Sequence, residues 1–352
     1  MSVLPKSPRA ILVTGPAWVG DMVMAQTLFI YLKQIYPDAS IDVLAPGWTR
    51  PLLARMPQVR DAIELPFGHG DFKPMARYAV GKSLRAKKYD WAIVMPITWK
   101  SALVSLGARI PIRSGFLGEQ RWGLINDRVT LEKQAHPLMI QRYLSLALQD
   151  REMPDPLPQP KLIVSERSQV DALNALGINK TDRPVMAFCP GAEYGPAKRW
   201  SPEYFSEIGK RLVKQGWDVW IFGSAKDAEY AQPIAAAVNS DRCLDLTGQT
   251  SMAQAIDLMV LTDAALANDS GLMHVAAALQ KPIIALYGSS TPEYTPPLTD
   301  KASIVSLKLE CSPCFKRECP LGHLNCLKQL TPDIVWREIC AHIDGIDGKI
   351  SG

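Results

Sequence analysis

The stretch from Ala10 to Tyr36 sets what this chain can fold into. Ala10-Ile11-Leu12-Val13-Thr14 is short, apolar and β-branched, which reads as a buried strand. Met22 to Tyr36 lacks Gly and Pro and spaces its apolar residues for a helix. Between them lies the Gly-bounded turn Gly15-Pro16-Ala17-Trp18-Val19-Gly20-Asp21. A strand, a tight turn and a helix form the first unit of an open α/β sheet, and such sheets take ligands outside the carboxyl ends of their strands.

The turn itself narrows the chemistry. Gly15 and Gly20 keep the outer spacing of a phosphate-cradling G-x-x-x-x-G-K-[ST] loop. Asp21 and Met22 stand where that loop needs a lysine and a hydroxyl. A carboxylate there repels phosphate, which excludes a nucleoside triphosphatase. The dinucleotide fingerprint G-x-G-x-x-G is also absent from this turn. Asp21 remains, a carboxylate at a helix start. It has two readings: it complements the positive helix end, or it is a general base at the ligand end of the sheet.

Further along, Ser40–Leu44, Asp61–Leu65, Trp91–Met95 and Ile112–Phe116 read as strands. Helical patterns over Met75–Lys88 and Lys100–Leu106 alternate with them, and Gly68-His69-Gly70 reads as a loop. Residues 113–127 are expected to be mostly irregular after that strand, and 136–149 helical. The alternation predicts a parallel sheet. Four prolines between Met153 and Pro160 favour an extended connector, so the chain divides into 1–152, a linker 153–161, and 162–352. The second part repeats the theme, with strands at Val185–Cys189, Asp218–Phe222, Ala264–Ala267 and Pro282–Tyr287. A last helix, Asp333–Ile343, fits against either part.

Composition adds limits. No apolar run reaches the ~18 residues of a membrane span, and the first ten residues lack the apolar core of a signal peptide, so a cytoplasmic location is expected. Residues 1–150 hold 19 Lys and Arg against 11 Asp and Glu, whereas the remainder holds 20 against 24. The basic first part fits an anionic partner such as a phosphorylated lipid or a membrane surface. Its basic residues are scattered and carry no recognition motif, which argues against nucleic acid.

In the second part, Asn268-Asp269-Ser270-Gly271-Leu272-Met273-His274 joins a strand to a helix. Asp269 and Ser270 are good helix caps, and the free N–H groups of such a start also bind phosphate. His274 lies one turn in, either as a core histidine or toward the same ligand. Lys198, in the loop Pro190–Trp200, supplies a mobile positive charge. Gly288-Ser289-Ser290-Thr291 is a third loop with donors. No Asp-x-Asp pair occurs, so the protein's own cations and a helix dipole are expected to neutralise a leaving diphosphate without a metal.

Four of the seven cysteines cluster as Cys311-x2-Cys314-x4-Cys319-x3-His323-x2-Cys326. The ligand types and tight spacing suit a structural zinc site; an iron–sulfur site, disulfides and free thiols are the alternatives.

Several of these segments together resemble one family. They are Gly15 to Gln26, Cys189 to Trp200, Phe222-Gly223-Ser224, and Asn268 to Ala278. In that order they are similar to the bacterial ADP-heptose:lipopolysaccharide heptosyltransferases, nearest the type II branch. The resemblance implies a GT-B architecture, two Rossmann-like open parallel-sheet domains facing across a cleft. It implies inverting, metal-independent transfer of heptose from ADP-heptose to a heptosyl-Kdo-lipid A acceptor, with no cofactor required for catalysis. It implies a peripheral place at the cytoplasmic face of the inner membrane. By the resemblance, Asp21 is the catalytic base. Lys198, Gly223, Ser224 and the loop Asp269, Ser270, Gly271, Leu272 and His274 bind the donor. Charge and loop placement add Lys100, Arg113 and Arg121 as acceptor contacts. The cysteine cluster takes no role from the family. The alternatives are a heptosyltransferase of the same family with a different core acceptor, a sugar-nucleotide epimerase or hydrolase on the same scaffold, or a non-catalytic nucleotide binder.

Overall fold

A computed structural model describes residues 7–68, 71–179 and 182–346. His69 and Gly70 of the expected loop lie outside the described residues. The chain forms two compact units, Met1–Pro160 and Lys161–Gly352.

Unit 1 holds β1 (Ala10–Thr14), β2 (Ser40–Ala45), β3 (Val59–Glu64), β4 (Trp91–Val94), β5 (Ile112–Phe116) and β6 (Asp127–Val129). Every pairing is parallel, in the order β3-β2-β1-β4-β5-β6. β1 lies at the centre because all five of its residues are buried, so neither face tolerates water. Burying each such Leu, Ile or Val contributes about 1.5–3 kcal/mol. Strand order reverses between β1 and β4. A doubly wound sheet opens its ligand crevice there, at the carboxyl ends.

Unit 2 repeats this plan with β7 (Val185–Cys189), β8 (Asp218–Ile221), β9 (Cys243–Asp245), β10 (Ala264–Asn268), β11 (Ile283–Leu286) and β12 (Ala302–Val305). The order is β12-β11-β10-β7-β8-β9, again parallel, so its reversal falls between β7 and β10. The core gathers Phe188, Trp200, Phe205, Leu266 and Trp336. The last helix, Pro332–His342, packs on the helix Pro202–Lys214 and on β11 and β12 of its own unit.

Three strands go beyond the sequence expectation: β6, β9 and β12. They are short sheet edges, mostly half-exposed, so they carry no continuous apolar run. The helix Glu166–Ala175 was also missed; it buries only Ala172 and so shows little apolar face. The first helix runs Val19–Ile35 and starts earlier than its periodicity. Trp18 is therefore the cap, and Asp21 sits within the first turn rather than at the cap.

Candidate functional site

In unit 2 the topology brings three loops to the strand-order reversal. The β10 loop supplies Asp269, the loop after β7 supplies Lys198, and the loop after β11 supplies Ser290. Lys198 Nζ lies 2.5 Å from Asp269 Oδ2, and Ser290 Oγ donates to the same oxygen at 2.5 Å. Asp269 and Ser290 are each 5% exposed, so this small network is buried while the Lys198 side chain keeps 18% exposure. Below it, Asn268 ties β10 to the β7 loop: its Nδ2 donates to the Pro190 carbonyl at 2.6 Å, and its Oδ1 accepts from Trp200 N–H at 3.2 Å. Trp200 is itself anchored through Nε1 to the Leu330 carbonyl at 2.7 Å. The Tyr194 ring flanks Lys198, with Nζ 5.1 Å from its centroid.

The helix Gly271–Ala278 begins at this point, capped by Ser270. The Ser270 hydroxyl makes no cap bond and is buried without a partner. A buried hydroxyl at a helix start, one residue on from the aspartate that holds Lys198, suits an anion that accepts a hydrogen bond there. Gly271 and Leu272, half-exposed, form the opening turn.

His274 is buried beneath this turn, and desolvation pulls its pKa down to about 4 against the opposing pull of Asp269. It is therefore neutral near pH 7. It meets its surroundings through a neutral ring and adds no charge toward a phosphate.

Gly223 and Ser224 lie one strand over, past β8. Ser224 donates both its N–H and its hydroxyl to Asp227 Oδ2, at 2.9 and 2.8 Å. A Cβ on Gly191 would come within 2.5 Å of the Asp227 carboxylate. Asp227 thus sets the spacing between the β7 and β8 loops. Asn268, Ser290 and Asp227 were not singled out from the sequence as site residues. Their loops were, but which side chains meet depends on strands far apart in sequence.

Unit 1 has its own reversal-point loops. Asp21 follows β1, half-exposed in the first helical turn. Trp18 and Trp48 stand beside that turn, 40% and 49% exposed, with Trp48 Nε1 donating to the Ala17 carbonyl at 3.0 Å. Lys100 follows β4, its Nζ 3.2 Å from the Asp71 carbonyl.

Two of the arginines expected at the acceptor turn their guanidinia to backbone oxygens. Arg121 is fully buried; its guanidinium donates to the Pro96 carbonyl at 2.7 Å and to the Phe116 carbonyl, bracing the loops after β4 and β5. Arg113 pairs with Ala92 in register, back from the carboxyl end of the sheet. Its guanidinium is bonded to the carbonyls of Leu124 and Ile110, each at 2.7 Å. Both guanidinia turn to backbone oxygens; Arg121 is buried, and Arg113 keeps a half-exposed side chain.

Residues 77–325 match the model of glycosyltransferase family 9, the heptosyltransferases. The chain is 46% identical over 340 residues to lipopolysaccharide heptosyltransferase 2 of Escherichia coli K12, covering 94% of this chain and 97% of that one. It is 43% identical over 340 residues to lipooligosaccharide heptosyltransferase 2 of Haemophilus influenzae, covering 94% and 98%. The solved structure of E. coli ADP-heptose LPS heptosyltransferase II superposes with a TM-score of 0.83 at 44% identity, covering 94% and 98%.

Proposed function

The chain belongs to glycosyltransferase family 9, the heptosyltransferases, and on that premise we propose how its residues transfer a heptose from ADP-heptose to the first heptose of the lipopolysaccharide inner core. The diphosphate of the donor lies at the start of the helix Gly271–Ala278. Lys198 and the Ser270 hydroxyl meet its oxygens and stabilise the charge that grows as ADP leaves. Gly223 and Ser224 take the adenosine side. Asp21 removes the proton of the acceptor hydroxyl as that oxygen attacks the anomeric carbon from the face opposite ADP, which inverts configuration. With Lys198 and a helix start supplying positive potential, the step needs no divalent cation.

The observation that carries this reading is the buried Lys198–Asp269–Ser290 network beside the unpartnered Ser270 hydroxyl, at the point where the sheet opens to ligands. On the acceptor side, Lys100 is the remaining cation for an anionic group, and Trp18 and Trp48 offer apolar faces to sugar rings. No helix among the described residues is long and apolar enough to cross a membrane. Exposed Phe72, Met75, Ile97 and Trp122 in the basic unit support peripheral contact with an anionic lipid surface at the inner membrane.

The test is to incubate the protein with ADP-heptose and acceptors that differ by one heptose, then weigh the products. One added heptose on the mono-heptosylated acceptor is expected. Transfer only to the heptose-free acceptor, or donor breakdown without transfer, would refute the assignment.

A further inference from the structure

The segment 311–324 lies between β12 and the short helix Asn325–Lys328 and has no part in the chemistry above. It is nevertheless bonded to both loops whose side chains meet at Asp269. Phe315 N–H donates to the carbonyl of Ser289, one residue before Ser290, at 2.7 Å. On the other side, the Tyr194 hydroxyl donates to the Phe315 carbonyl at 2.7 Å, and Ala197 N–H donates to the Arg317 carbonyl at 3.0 Å. A Cβ on Gly195 would lie 2.5 Å from that same carbonyl oxygen, so only glycine permits the approach. Arg317 is thereby seated against the turn that carries Lys198. Cys311, Cys314, Cys319 and Cys326 are free thiols, and among the described residues no group of three or more His, Cys, Asp or Glu is placed to hold a metal ion. The segment brings the site a cation instead.

The Arg317 side chain is exposed, and its guanidinium lies 5.4 Å from the centroid of the Tyr194 ring. Lys198 Nζ lies 5.1 Å from the same centroid. Two positive groups gathered at one ring repel each other. The attraction of such a ring for a cation at an exposed position is only about 0.5–1 kcal/mol. Lys198 has Asp269 to balance it. Arg317 joins none of the ion pairs among the described residues. Glu193, beside Tyr194 in the chain, is already held by Lys226 at 2.8 Å. A positive group without an anion of its own, seated beside Lys198, calls for an anion from outside the chain.

Resting on the donor reading above, we propose that Arg317 is a second diphosphate-binding cation of the donor site, touching phosphate oxygens that Lys198 and the helix start leave uncovered. Each phosphate of a nucleotide-sugar diphosphate is negative, and departure of the sugar adds a further charge. Asp269 offsets much of the charge on Lys198. A helix start supplies only about half a positive charge. Arg317 supplies a full one. An arginine over an aromatic ring keeps its edge N–H groups for phosphate oxygens, and its planar fork suits two of them at once.

Calorimetric titration of the full chain with ADP, at low and at high salt, is the test. Arg317→Ala is expected to weaken ADP binding by about tenfold at low salt, and the deficit should shrink as salt screens the contact. Arg317→Lys should recover much of the affinity by restoring the charge, whereas Arg317→Gln should not. The side chain is exposed, so all three variants should melt with the wild-type chain. Lys198→Ala, titrated alongside, reports on the site itself. ADP affinity unchanged in Arg317→Ala but lost in Lys198→Ala overturns the proposal and spares the donor reading. An Arg317→Ala deficit that neither Arg317→Lys nor salt reduces also overturns it, since the arginine then acts through the packing of Tyr194 and not through its charge. ADP affinity unchanged in both alanine variants overturns the donor reading itself.

Discussion

Lys198 Nζ lies 2.5 Å from Asp269 Oδ2, joining two loops that leave neighbouring strands at the reversal of strand order in unit 2. The pair is buried on the Asp269 side and open on the Lys198 side. Asp269 thus holds the lysine in place and partly neutralises it. On the proposed function, an arriving diphosphate is the second anion that the ammonium takes.

Lys198→Ala should weaken ADP binding by about 10–100-fold, since it removes a charge-assisted contact and leaves Asp269 buried without its cation. Asp269→Asn should weaken it too, by freeing the lysine from its anchor. The double variant should cost much less than the two effects combined, because both act on one network. Calorimetry with ADP reads all three, and strict additivity would show that the pair does not serve the donor.

The fold was legible from the sequence where strands are buried on both faces. β1, β4, β7 and β10 announced themselves as short apolar runs, and the Gly-bounded turn after β1 located one ligand end. Edge strands such as β9 did not, because half-exposed residues follow no strict pattern. At the site, Lys198, Asp269 and Ser270 were legible through turn chemistry and a resemblance. The Ser290 bond to Asp269 was not, since 21 residues and a strand separate them. The backbone bonds of Arg113 and Arg121 were hidden for a related reason: charge alone does not say whether a guanidinium faces solvent or backbone.

His274 should make the protein lose stability as pH falls from about 6.5 to about 4. Its folded pKa is depressed to about 4, so across that window the unfolded chain binds more protons and stability falls with pH. Below about 4 both states are protonated and the dependence flattens. The total is on the order of 3 kcal/mol. Urea unfolding across this range should be steep for the wild-type chain and flatter for His274→Gln; equal slopes would contradict the buried neutral ring.

Asp42 should contribute stability that is lost in stronger acid. Burial alone would raise its pKa, but bonds from Arg60 at 2.7 Å and Tyr89 at 2.5 Å, with the charge of Lys87, hold it below the usual value. Its contribution is therefore present above the unfolded carboxylate value of ~3.9 and disappears as pH falls through the folded one. Asp42→Asn should cost about 1–3 kcal/mol near neutrality, since the buried carboxylate loses its charge-assisted bonds while Arg60 and Lys87, half-exposed, stay hydrated. A Tm unchanged by this variant would rule out the network as a stabiliser of unit 1.

Adding magnesium should leave the transfer rate flat. The proposed donor site offers Lys198, Ser270 and a helix start, and its acid, Asp269, is already paired with Lys198. A rate that rises from near zero with magnesium would show that a cation, not these groups, carries the leaving diphosphate.

The central claim is that Asp21 takes the acceptor proton while unit 2 holds the donor. Single-turnover transfer by Asp21→Asn, with ADP-heptose affinity measured on the same sample, tests it most directly. The account predicts donor affinity close to wild type and transfer slowed by about 10²–10⁴-fold. Transfer within a few-fold of wild type at unchanged donor affinity would contradict it and leave Asp21 as a helix-start carboxylate.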